Sequence, residues 1–284
     1  MKWEIGDISV TLVKETEIQV GHDFQGMLPD ADPAVLEANA DWLKPHFIDD
    51  DWNMKVSVHA YVLETQDKTI IVDTCMGNDR VLPGYEDMSN LQTSFLSDLN
   101  DAGYPPESVD LVVCTHLHFD HVGWNSRFVD SKWVPTFPNA KYLFGRMDYE
   151  SCVAGDQGAA ITFDDAVKLV FDAGLAELVD TDQRITSEIR LEPTPGHSPG
   201  HMSVRISSNG EEAVITGDVL HHPVQFVAPE WQMIADSDPE QAVETRKDFR
   251  SRYGDQPVLI FGTHFGPPYA GHLVSDGHRW KFLT

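Results

Sequence analysis

The sequence predicts a layered α/β chain with two sheets packed inside it. Three observations predict this. Apolar, strand-like runs come in two sets, and segments with helical spacing fall between and after them. The 284 residues, 41% of them hydrophobic, suffice for a sizeable core without a disulfide or a structural metal. No Pro/Gly/Ser-rich or highly charged linker divides the middle, so residues 1–284 read as a single domain.

Taken in order, 5–13 (IGDISVTLV) and 56–64 (VSVHAYVLE) alternate apolar and polar positions, and 69–73 (TIIVD) is a short apolar run ending at an acid. All three read as strands. Segment 22–55 is polar and punctuated by proline, with His22, His46, the rings of Phe24, Trp42, Phe47 and Trp52, and the run Asp49, Asp50, Asp51. It is too long for an ordinary connection, so it carries a helix near 33–43 or is a loop with a task. Its rings make it a candidate substrate-covering N-terminal segment; a strap on the core or half of a homodimer interface accounts for it equally well.

Residues 90–103 place Leu91, Phe95 and Leu99 at helical spacing and stop at Gly103, after which 109–115 (VDLVVCT) reads as a buried strand. A second half follows, with a strand at 140–144, a mainly helical stretch 146–180 and strands at 186–192, 201–208 and 211–217. A helix over 238–253, a strand at 257–262 and a ribbon from 272 to 282 complete the chain.

With 20 basic against 46 acidic residues the formal charge is −26. Such a surface repels phosphate backbones and anionic lipid, which argues against nucleic acid and membrane partners and favours a small neutral or hydrophobic substrate. Cys75, Cys114 and Cys152 are odd in number and unrelated in spacing, so no disulfide framework is expected. The first twenty residues lack an apolar signal-like run, and no stretch approaches the ~18 apolar residues of a membrane span, so the expected address is the cytoplasm.

The chemistry concentrates after the strand 109–115. In His116-Leu117-His118-Phe119-Asp120-His121, four ligand-type side chains fall within six residues. Imidazoles and a carboxylate on a turn that a strand fixes in place suit a metal. Three further ligand types follow apolar runs or glycine turns: His197 in PGHSPGH, Asp218 in ITGD and His264 in FGTH.

In this order, THLHFDHVGWN, PGHSPGH, TGDV and GTH resemble the metal-binding motifs of the metallo-β-lactamase-fold hydrolases, over roughly residues 56–270. The resemblance implies a four-layer αβ/βα sandwich of two sheets flanked by helices. It also implies two divalent metal ions, with His116, His118 and His197 on the first, Asp120, His121 and His264 on the second, and Asp218 bridging. Zn²⁺ is the default for nitrogen and oxygen ligands, and iron or manganese fits the same set. Asp73 matches a family acid beside the site, where it would orient a histidine ligand; a turn-capping carboxylate is the alternative.

Such a pair of ions implies a shared hydroxide as nucleophile and hydrolysis of an ester-like bond. The leaving group would take its proton from Asp120 or His221. His221 is favoured over the adjacent His222, because neighbouring residues of an extended segment face opposite sides. The motifs are most similar to lactonases of the quorum-quenching type, which makes a lactone or carboxylic ester the first expectation. Several of those enzymes carry tyrosine three residues beyond the bridging aspartate. Here His221 stands there, as in hydrolases of the methyl parathion type, so a phosphotriester is the second expectation. An alternative from another class is a dioxygenase-like enzyme with a single iron on the same scaffold.

Overall fold

The computed structural model describes residues 1–20, 24–155 and 161–284. His22 and residues 156–160 of the expected helical stretch lie outside them. The chain forms two compact units: Met1–Thr16 with Val58–Thr181, and Glu17–Ser57 with Asp182–Thr284.

The first unit is built on a seven-stranded sheet of order β1-β2-β3-β4-β5-β8-β9. β1 (Lys2–Ile5) and β2 (Ile8–Val20) form a hairpin. Its turn falls inside the run 5–13 that alternation alone makes one strand, because Gly6 adopts φ 58° and reverses the chain. β3 (Met54–Glu64) pairs antiparallel with β4 (Thr69–Val72), and β4, β5 (Leu111–Val113) and β8 (Lys141–Gly145) run parallel. Both functional loops of this unit leave the ends of neighbouring parallel strands, with Val72 opposite Val113.

Two elements here escape the sequence pattern. Residues 176–180, expected to be helical, hold β9 (Ala176–Val179): Gly174 at φ 73° ends the helix and the chain pairs with β8. A hairpin of β6 (Ser126–Val129) and β7 (Lys132–Pro135) turns through Asp130 and Ser131 at φ 49° and 63°, without the Asn-Gly or Asp-Gly signal. The helix expected over 90–103 is shorter, Phe95–Asp101, because Asn78 and Asp79 bind the main chain of Thr93 and Leu91 and keep them in the preceding loop.

The second unit carries a six-stranded sheet in sequence order: β10 (Ile189–Pro193), β11 (Met202–Ser208), β12 (Glu211–Ile215), β13 (Val258–Phe261), β14 (Ala270–Ser275) and β15 (Trp280–Leu283). Only β12 and β13 pair in parallel, across the helix Pro239–Tyr253. That helix starts where it should: the Asp238 carboxylate accepts the Gln241 N–H, and proline occupies the first turn.

Segment 24–56 contributes to the core of this unit. Phe24, Leu36, Trp42, Leu43, Phe47 and Ile48 are buried with Phe226, Phe249, Phe265 and Phe282. The helix expected near 33–43 is two short ones, Pro33–Ala38 and Ala40–Leu43, interrupted at Asn39. No helix among the described residues is long and apolar enough to cross a membrane.

Candidate functional site

In the first unit, the β4–β5 register delivers Asp73 beside Thr115. Asp73 takes the left-handed conformation (φ 58°), which a short polar side chain tolerates. Its Oδ1 accepts the Thr115 N–H at 2.7 Å, and its Oδ2 accepts the Thr115 hydroxyl at 2.8 Å and His121 Nδ1–H at 2.9 Å. Thr115 has spent its only proton on Asp73, so its oxygen accepts from His116 Nδ1 at 3.1 Å.

Both imidazoles therefore carry hydrogen on Nδ1 and present a lone pair on Nε2. Their ring centres lie 4.0 Å apart, and His118 sits 4.5 Å from His116. The Asp120 carboxylate is 3.7 Å from His121 Nε2. His116 and His121 are buried, and His118 and Asp120 partly exposed.

The turn after these residues is held tightly. Thr74 and Trp124 exchange with the 121–125 and 74–75 main chains, and Gly123 N–H donates to Cys75 at 2.7 Å. A Cβ on Gly123 would lie 1.9 Å from the Met76 carbonyl oxygen, so no other residue fits there. Glu15 accepts from Met76 N–H (2.7 Å), Gly77 N–H (3.2 Å) and the Trp124 indole (2.6 Å). Burial raises its pKa in spite of these donors. The thiols of Cys75 and Cys114 are buried and pushed well up by desolvation, as suits core residues.

In the second unit, Asp218 stands in a tight turn after β12, its N–H bonded to His201 Nε2 at 2.7 Å. Three imidazoles face its carboxylate through Nε2: His221 at 3.0 Å, His264 at 3.2 Å and His197 at 3.4 Å. Their opposite edges are committed differently. His264 Nδ1 donates to the Ser57 carbonyl at 2.9 Å, and His197 Nδ1 to Asp236 at 3.1 Å. His221 Nδ1 has no hydrogen-bond partner among the described residues, and burial holds the pKa of this ring below its ordinary value against the pull of Asp218. His222 turns the other way: Nε2–H donates to the Phe47 carbonyl, and Nδ1 accepts the Val224 N–H.

This arrangement tests directly for a metal. A His197 or His264 ring with hydrogen on Nδ1 alone would aim its lone pair at a carboxylate, acceptor against acceptor. A cation among them turns that repulsion into coordination. His197, Asp218 and His221 also offer ligand atoms within 4.8 Å of one another. The donor set of each unit, imidazole nitrogen and carboxylate oxygen, fits a divalent ion.

The family model for the metallo-beta-lactamase superfamily matches residues 54–264. The chain belongs to the metallo-β-lactamase superfamily. Membership makes it a metal-dependent hydrolase of that superfamily, and its α/β fold is the metallo-β-lactamase type expected from the motifs. An N-acyl homoserine lactonase of Bacillus thuringiensis is 26% identical over 227 residues, 74% of this chain and 82% of the relative. Among solved structures, the hydrolase AbOPH of the beta lactamase superfamily covers 99% of this chain and 96% of its own, with a TM-score of 0.82 and 24% identity. AidC, a dizinc quorum-quenching lactonase, covers 100% and 96%, with a TM-score of 0.79 and 20% identity. At such identities these likenesses concern the metallo-β-lactamase fold alone.

Sequence reasoning missed three residues that hold the ligand types. Glu15 and Asp236 lie far along the chain from what they grip, and Arg246 acts through Asp236. His201, which follows the ligand turn and could face the site but reads more readily as a structural first residue of a strand, accepts the main-chain N–H of Asp218. Only His201, in the turn PGHSPGH, stood beside a recognisable motif.

Proposed function

We propose that this metallo-β-lactamase-fold chain is a dinuclear metal-dependent hydrolase of a lactone or carboxylic ester. His116, His118 and His197 serve one ion, Asp120, His121 and His264 the other, and Asp218 both. The observation that carries the reading is the Asp218 carboxylate faced by imidazole Nε2 atoms whose Nδ1 hydrogens are committed elsewhere. When bound, two divalent ions, Zn²⁺ in this reading, supply Lewis acidity and a water acidic enough to lose its proton near neutral pH.

The chain's own groups do the rest. Asp73 holds His121, and through Thr115 also His116, in the tautomer that leaves Nε2 unprotonated. Burial lowers the pKa of His221, which stands 3.0 Å from Asp218; we assign it to take up the proton that the attacking water gives up and return it to the leaving oxygen, with Asp120 as its competitor. The N-acyl homoserine lactonases among the relatives favour a small lactone. A second reading, a phosphotriester, is favoured by His221 standing where several lactonases have tyrosine.

Metal quantitation followed by assay of acyl-homoserine lactones, aryl esters and a phosphotriester tests this. Two divalent ions per chain with lactone or ester turnover are expected. Preferred phosphotriester turnover selects the second reading, and one iron per chain with oxygen consumption overturns both.

A further inference from the structure

We propose that Asp236 is a positioning residue whose carboxylate, anchored by Arg246, fixes His197 as the Nδ1–H tautomer and so sets how tightly His197 and Asp218 hold a metal. The inference rests on the reading of those two residues as ligands.

The geometry is specific. The side chains of Asp236 and Arg246 are both 0% exposed. Asp236 Oδ1 accepts from His197 Nδ1 at 3.1 Å, while Oδ2 accepts the Met233 N–H at 3.0 Å and Arg246 Nη1 at 3.1 Å. Arg246 is itself fixed by Nε donating to the Pro229 carbonyl at 2.9 Å.

The main chain of the ligand turn is held by other means. Ser237 N–H donates to the His197 carbonyl at 3.1 Å, Asp238 N–H to that of Gly196 at 2.9 Å, and the Thr245 hydroxyl to that of Pro195 at 2.6 Å. Gly196, at φ 128°, lets the turn lie so close that a Cβ would be 2.3 Å from Ala242 N. The Asp236 side chain is thus not needed to place the turn. What it controls is the ring.

The consequence of D236N follows from donor counting. An amide has one oxygen and one NH₂. Two fixed donors, Met233 N–H and Arg246 Nη1, demand the oxygen, so the NH₂ faces His197 Nδ1 and can only be satisfied if that nitrogen accepts. The ring hydrogen moves to Nε2 and the lone pair facing Asp218 is lost, the same inversion that replacing an orienting aspartate by asparagine produces in a serine protease triad.

Histidine-selective ¹⁵N NMR of the metal-free protein, recorded over a pH series up to where the His197 ring has lost its second proton, reads the tautomer directly, with His197 assigned by its absence in H197Q. Wild type should show Nδ1–H and D236N should show Nε2–H, and D236N should bind Zn²⁺ ~10–100-fold more weakly in chelator competition. R246M removes the same ion pair but leaves the carboxylate on His197. It should lower thermal stability while keeping the wild-type tautomer and Zn²⁺ affinity within about threefold. An unchanged tautomer in D236N overturns the proposal, whether or not R246M folds, as does equal loss of affinity in the two variants. If wild type takes up no divalent ion, the metal reading fails, while the tautomer comparison still decides what Asp236 does to His197.

Discussion

A neutral imidazole has one hydrogen to place, and whichever nitrogen gives it away leaves the other as a ligand. His116, His121, His197 and His264 each give it away at Nδ1, to a threonine, two aspartates and a main-chain carbonyl. Asp218 collects the opposite edges of His197 and His264 in its unit. Replacing Asp218 by Asn should therefore reduce metal content and turnover together, by at least tenfold in affinity. Full metal loading with unchanged turnover, measured by elemental analysis and assay of the same sample, would remove its shared role. At this scale the sequence was informative wherever ligand types cluster: His116 to His121 announce themselves by density. Asp236 does not, because 39 positions separate it from His197 and nothing in WQMIADSDPE marks one acid from the next. Glu15 is hidden for the same reason, 109 positions from the indole it grips.

At the scale of elements, segment 24–56 shows how a buried histidine fastens a strap. His222 donates to the Phe47 carbonyl and accepts from Val224 N–H, so a second ring proton would face a donor. Burial accordingly depresses its pKa from 6.5 to about 4. The unfolded chain takes up the proton first as pH falls, so the stabilisation is complete above pH 6.5, declines below it and is gone at about 4. At ~1.4 kcal/mol per pH unit the whole effect is about 3 kcal/mol. Urea unfolding at a series of pH values should show wild type losing that much more than H222Q across this window. Parallel curves for the two proteins would refute the assignment. Strand runs and the capped helix Pro239–Tyr253 were legible from period and capping residues. The β6–β7 hairpin and β9 were not, because their turns use Asp130, Ser131 and Gly174 in positions whose conformation only pairing with a neighbour selects.

For the molecule as a whole, 46 acidic against 20 basic residues repel one another in the compact state more than in the unfolded chain. Raising NaCl from ~0.1 M to ~1 M shortens the screening length from ~10 Å to ~3 Å. The melting temperature should rise by several degrees, roughly 2–4 °C for each kcal/mol gained. A flat or falling value in thermal scans would mean that this repulsion is already neutralised. The holds on the histidines also differ in heritability. Those on His121 and His197 depend on the side chains of Asp73 and Asp236, so a single codon change can abolish either. The hold on His264 comes from the carbonyl of residue 57, which every amino acid possesses. Genetic drift can therefore loosen the first two imidazoles by point mutation at the partner, whereas the third is insulated from the identity of its partner and exposed only to changes in the path of β3.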